Sequence, residues 1–356
     1  MGSELNLGQM FVAGFLGREV EADHWLARSL AEDRLGGVIL FSRNVDGSVQ
    51  NIESPRQLKQ LIAGLCQFAA IPPLVAIDQE GGKICRLAPK NGFLPSRSAA
   101  ELAAEGVAAT ARAAECMAAE LAEYGINLNF APVVDLNLNP DNPIIGRYQR
   151  SFGADPAQVV AHARAYIEAH HRRGIGCCLK HFPGHGSAGS DSHLGFVDTT
   201  AQWQAIELEP YRQILAAGYA DGIMTAHLIN RRLDPSGLPA TLSPAMVTGQ
   251  LRQELGFGGV VFSDDMQMRA ISAGWPYAEA VQRAVLAGVD VVVVGNNLSP
   301  TEHAVREGIE AIEALLDSGR IEPQRIQCSL ARIARFKAMI AGQQPWNFPA
   351  PPTTWS

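Results

Sequence analysis

The chain has 356 residues, 47% hydrophobic and 18% charged, with 29 Lys and Arg against 36 Asp and Glu for a net charge of -7. That is the composition of a globular chain with ample material for a core, and it excludes the basic footprint of a nucleic-acid binder. No apolar run reaches the ~18 residues a membrane span needs, and the six cysteines (Cys66, Cys85, Cys116, Cys177, Cys178, Cys328) are too scattered for a disulfide framework or a metal knuckle.

The chain opens without a basic segment followed by an apolar core, so no secretory leader is expected. Reduced, buried thiols then make the cytoplasm the expected location. Strands are predicted over 11–15, 37–41 and 74–78, where short β-branched runs stand between longer helical stretches. A helix rich in Ala, Glu and Leu is predicted over 99–124, stopped by Gly125, and a strand follows over 128–131. Residues 137–148 are turn-rich and lead into Arg150-Ser151-Phe152-Gly153. A helix over 156–173 ends at Gly174, and strands follow over 176–180, 222–226, 259–263 and 289–294. Helices over 277–287 and 323–341 close the pattern, the second with proline in its first turn. Residues 343–356 are proline-rich and carry two tryptophans, so they read as a tail outside a domain spanning 1–342.

Eight mostly apolar strands, alternating with helices, predict a single-domain (β/α)8 TIM-type barrel. An open doubly wound sheet is the alternative, but no G-x-G-x-x-G follows any strand. A barrel forms its site at the C-terminal strand ends, which here carry Asp78, Lys180, His181, His227 and Asp264.

The densest chemistry lies in Lys180-His181-Phe182-Pro183-Gly184-His185-Gly186, followed by Asp191-Ser192-His193. Glycines and serines make this a loop after a strand, and loops carry chemistry that strands hold in place. His181 and His185 have the spacing of a helical metal motif, but Pro183 and Gly184 forbid a helix, so no metal site is expected. His185 is expected to hold the loop through hydrogen bonds, and His227 is divided evenly between ligand contact and buried bonding. Asp264 and Asp265 should point to opposite sides of a strand, so only one enters the site. Glu80 is expected to turn away from Asp78 by the same alternation, and Asp135 to bond a loop. Asp290 receives no role. Phe130, Tyr148 and Phe182 are candidates for stacking on an apolar ring face of a ligand, with core packing the commoner use.

Three stretches together resemble glycoside hydrolase family 3, in its β-N-acetylglucosaminidase branch. They are Ala76-Ile77-Asp78-Gln79-Glu80-Gly81-Gly82, the lysine–histidine loop above, and Val260-Val261-Phe262-Ser263-Asp264-Asp265-Met266. The resemblance implies a retaining hydrolase acting on terminal β-linked N-acetylglucosamine in peptidoglycan (muropeptide) fragments, within cell-wall recycling. It selects Asp264 as the nucleophile and implies His193, paired with Asp191, as the proton donor and acceptor. Imidazole suits that work because it titrates near neutrality. Lys180 is expected to keep Asp264 ionised. The resemblance further implies that Asp78, Arg86, Arg150, Lys180 and His181 bind the sugar. Lys83 stands where the family's element has its first arginine, and Arg147 is a neighbouring rival to Arg150. No cofactor is implied, and the partner is a small carbohydrate rather than nucleic acid or membrane. The second domain of many relatives is expected to be absent. A phosphorylase with the same covalent intermediate, and a silent sugar-binding module, are the alternatives.

Overall fold

The computed structural model describes residues 5–190 and 195–346. Eight parallel strands close into a barrel in sequential order. They are β1 (Phe11–Ala13), β2 (Gly37–Leu40), β3 (Leu74–Ile77), β4 (Leu128–Asn129), β5 (Gly176–Phe182), β6 (Gly222–Thr225), β7 (Val260–Asp265) and β8 (Val291–Val294). Barrel closure comes from Phe11, Val12 and Ala13 pairing in register with Val292, Val293 and Val294. The (β/α)8 expectation holds, and every predicted strand is present with ends shifted by a few residues.

The strands are apolar on both faces because helices cover the outside while side chains fill the inside. Phe262 meets Phe130 edge-on at 5.5 Å, and Phe336 from the last helix lies 6.3 Å from it, also edge-on. Two glycines make this filling possible. A Cβ on Gly222 would stand 2.7 Å from the Phe262 ring, and one on Gly176 would stand 2.4 Å from the Phe336 ring.

The helices follow their capping signals. Ser54 caps Pro55–Phe68 through the Gln57 amide, and Asp155 caps Pro156–His171 through the Ala157 amide. The helix predicted over 99–124 is instead two, Ala99–Glu105 and Val107–Tyr124. Gly106 breaks it at φ +92, a conformation that costs glycine little. A capping box between Ser98 and Glu101 starts the first piece. Between β6 and β7 the chain forms a ten-residue π-helix, Ala245–Glu254, which the sequence pattern does not announce. Of the expected tail, Trp346 is described, and its ring stacks on His171 at 3.8 Å.

Two departures from simple strand alternation shape the mouth. Beyond β3, Gln79–Gly81 folds back against Ile84–Cys85 as a small antiparallel hairpin with a register shift. In β7, the four residues from Phe262 to Asp265 span the three from Val291 to Val293 on β8, which is a bulge at Ser263 and Asp264. The β5–β6 pairing shifts likewise between Leu179 and Phe182, at Lys180 and His181.

Candidate active site

A cavity of 640 Å³ opens at the C-terminal ends of the strands, and Asp78, Glu80, Arg86, Arg150, Lys180, His181, His185 and Asp264 line it. Ion pairs across the barrel organise its floor. Lys180 Nζ, from β5, donates to Asp78 Oδ1 at 2.7 Å and contacts Glu80 Oε1 at 2.7 Å. Arg150 grips Glu80 with two parallel bonds, Nε to Oε2 at 2.7 Å and Nη2 to Oε1 at 2.8 Å, a fork geometry that only arginine offers. Arg86 reaches Asp78 at 3.5 Å.

The charges hold one another ionised. Burial pushes the Asp78 carboxyl up, but Lys180 and Arg86 outweigh it and leave it below the ordinary range. Burial also acts against Glu80, where Arg150 and Lys180 prevail and hold the carboxyl far down. Lys180 is the mirror case: burial lowers it, Asp78 and Glu80 raise it, and the result lies above its usual value.

His181 is fixed at both ring nitrogens. Nδ1 meets Asp135 Oδ2 at 2.7 Å, and Nε2 lies 3.2 Å from Arg150 Nη2. Since the guanidinium can only donate, Nε2 accepts and Nδ1 carries the proton to Asp135. Asp135 is fully buried and also accepts from the His181 and His185 amides. Burial raises its carboxyl, yet His181 brings it below the usual value. His185 packs beside His181, and burial pushes its imidazole down to about 4.

At the end of β7 the two aspartates differ. Asp265 Oδ1 accepts from the Gln267 and Gly295 amides, so it is committed to the turn. Asp264 Oδ1 accepts from the Asp265 amide at 2.8 Å, and both aspartates border the cavity. The Ser263 hydroxyl accepts the Val293 amide and replaces the ladder bond that the bulge removes.

Against the sequence expectations, Asp78, Arg86, Arg150, Lys180, His181 and Asp264 all line one cavity. Asp191 and His193 lie outside the described residues. Arg147 is exposed at the surface while Arg150 is half-buried inside. One expectation needs correction. Glu80 does not turn away, because the hairpin after β3 and Gly81 at φ +99 abolish strand alternation there. Asp135 bonds a loop as expected, but it also orients a cavity side chain. Lys180 pairs with Asp78 and Glu80. His227 resolves as a buried bonding residue, joined to Thr241 Oγ1 at 2.8 Å and the Asp265 carbonyl at 2.9 Å. Phe130 lines the cavity, Phe182 packs edge-on against Tyr211 in the core, and Tyr148 is exposed beneath Lys83. The repeated carboxylates of Asp78-Gln79-Glu80 were the available signal for Glu80, masked by the assumption of a continuing strand.

The geometry matches known proteins along nearly the whole chain. The family model described as "Glycosyl hydrolase family 3 N terminal domain" matches residues 4–336. The chain is 39% identical to a beta-hexosaminidase of Tolumonas auensis over 274 residues, covering 75% of this chain and 78% of that one. It is 34% identical to a beta-hexosaminidase of Shewanella frigidimarina over 327 residues, 89% of each chain. A glycoside hydrolase family 3 beta-N-acetylglucosaminidase from Paenibacillus sp. superposes with a TM-score of 0.83 at 35% identity. That superposition covers 99% of this chain and 64% of the longer Paenibacillus chain. Agreement of the family model, these relatives and the barrel geometry makes the chain a glycoside hydrolase and a member of glycosyl hydrolase family 3.

Proposed function

We propose that the protein is a retaining β-N-acetylhexosaminidase that removes terminal, non-reducing β-linked N-acetylglucosamine. The observation that carries this reading is that Asp264 borders one cavity with the ion-paired Asp78, Glu80, Arg150 and Lys180. The names of the relatives supply the sugar.

In this mechanism Asp264 attacks the anomeric carbon from below, and the glycosidic oxygen leaves with a proton from His193. The glycosyl ester is then hydrolysed by a water that gives its proton back to His193, so two inversions retain the β configuration. Asp191 fixes the ring's tautomer and stabilises the imidazolium. Both roles rest on the sequence resemblance. Asp78 accepts hydrogen bonds from sugar hydroxyls, Lys180, Arg150 and Arg86 donate them, and His181 borders the same sugar site. Muropeptide fragments in the cytoplasm are the proposed natural substrate; among the described residues no helix is long and apolar enough to cross a membrane.

Release of p-nitrophenol from its β-N-acetylglucosaminide tests the proposal, with EDTA leaving the rate unchanged. Asp264→Asn and His193→Ala should each lose at least about a thousandfold in kcat/KM, in line with removal of a nucleophile or proton donor. Full activity in either variant rejects that residue's role. Running the assay in phosphate and in a non-nucleophilic buffer separates hydrolysis from phosphorolysis, which would yield the sugar 1-phosphate.

A further inference from the structure

We infer that Glu80 is a positioning residue for the sugar site, acting through Arg150 and Lys180 without touching the sugar; this rests on the sugar-binding reading above. The argument is an inventory of donors and acceptors. Glu80 Oε1 receives Arg150 Nη2 at 2.8 Å and Lys180 Nζ at 2.7 Å, and Oε2 receives Arg150 Nε at 2.7 Å. Its side chain is only 6% exposed, against 17% for Asp78. Glu80 therefore spends its acceptors on two cations, whereas Asp78 gives Oδ1 to Lys180 and leaves Oδ2 with one long contact, 3.5 Å to Arg86.

The cations are correspondingly used up. Arg150 has five N–H groups. Two go to Glu80, one to the Ile144 carbonyl at 3.1 Å and one toward His181 Nε2 at 3.2 Å. A single N–H, on Nη1, remains. Lys180 has three N–H groups, and Asp78 and Glu80 take two. The site thus offers a sugar one donor from each cation, in directions that Glu80 fixes. A side chain that can neither bind bidentately nor carry charge would let Arg150 swing and leave two adjacent cations with one carboxylate between them.

The Glu80→Gln variant keeps the shape but sets an amide N–H₂ against one of the cationic donors. We expect its KM for p-nitrophenyl β-N-acetylglucosaminide and its inhibition constant for free N-acetylglucosamine to rise at least about tenfold together. The melting curve should stay cooperative. The decisive measurement is a double-mutant cycle with Arg150→Met: the Glu80→Gln loss should shrink to within about threefold once Arg150 is gone. If Glu80→Gln loses its cooperative melt, the cycle is run with the charge-preserving Glu80→Asp under the same criteria. Losses that multiply fully in the double variant, or wild-type inhibition by N-acetylglucosamine in both Glu80 variants, overturn the assignment. A wild-type enzyme that binds N-acetylglucosamine yet cleaves no N-acetylhexosaminide contradicts the hydrolase reading and leaves this cycle readable through binding.

Discussion

Asp135 fixes His181 in one tautomer, and so makes Nε2 the acceptor that holds Arg150 Nη2 beside the cavity. An Asp135→Asn variant can still accept from the backbone amides but no longer selects that tautomer. Sugar affinity and kcat/KM should fall by roughly ten- to a hundredfold, as when a histidine's orienting partner is lost, and inhibition by N-acetylglucosamine reads this directly. Lys180 belongs to the same circuit, because it holds the Asp78 carboxyl below its ordinary value against the effect of burial. Replacing it by methionine raises the Asp78 pKa, so Asp78 protonates at a higher pH than in the wild type. The acid limb of the kcat/KM profile should therefore move toward neutrality in Lys180→Met, and an unmoved limb would remove Asp78 from the ionisations that govern binding.

At the scale of elements, the loop after β5 is anchored where it leaves the barrel. Glu207 accepts from the Gly186 and Ser187 amides and from the Ser187 hydroxyl at 2.6 Å. Asn142 donates to the His185 carbonyl at 2.7 Å, and the Trp203 indole to the Pro183 carbonyl at 3.1 Å. Burial pushes the Glu207 carboxyl up to about 6. A carboxyl raised on folding adds stability below its unfolded value, and that contribution is lost as pH climbs through the folded one. Between about pH 4.5 and 7 the wild type should lose on the order of 2 kcal/mol relative to Glu207→Gln. Denaturant melts of both proteins across that window check the sign. At this scale the sequence was most legible where apolar runs were unbroken, and least where backbone geometry departs from period 2. The β7 bulge, the hairpin that aims Glu80 and the π-helix Ala245–Glu254 depend on pairing with distant strands and helices, which a local pattern does not contain.

Over the whole molecule the barrel separates chemistry from support. The opposite end carries Asp290, with a fully buried side chain that accepts from the Val261 amide at 2.9 Å, Ser329 Oγ at 2.5 Å and Arg332 at 3.1 Å, and also pairs with Arg252. It ties β7 and the start of β8 to the last helix, a use invisible in a sequence where it is one aspartate before four valines. Asp290→Ala leaves Arg252, Arg332 and Arg325, the last 3.8 Å from Asp290, around a missing charge, so stability should fall by about 3–5 kcal/mol, while kcat per folded molecule stays unchanged. The fold was legible because strand–helix alternation is a global pattern, and Asp78, Lys180, His181 and Asp264 were legible because barrels gather strand ends, whereas Arg86 and Arg150 were implied by the family resemblance alone. The supporting carboxylates Glu80 and Asp135 were not, since their work consists of partners far apart in the chain.

The proposed covalent step on Asp264 is tested most directly by mass spectrometry of the protein after treatment with a slow, fluorinated N-acetylglucosamine donor. The account predicts one added sugar, located by peptide fragmentation on Asp264 and missing from Asp264→Asn. A turnover-competent enzyme that never carries the sugar, or carries it on Asp265 instead, would contradict it.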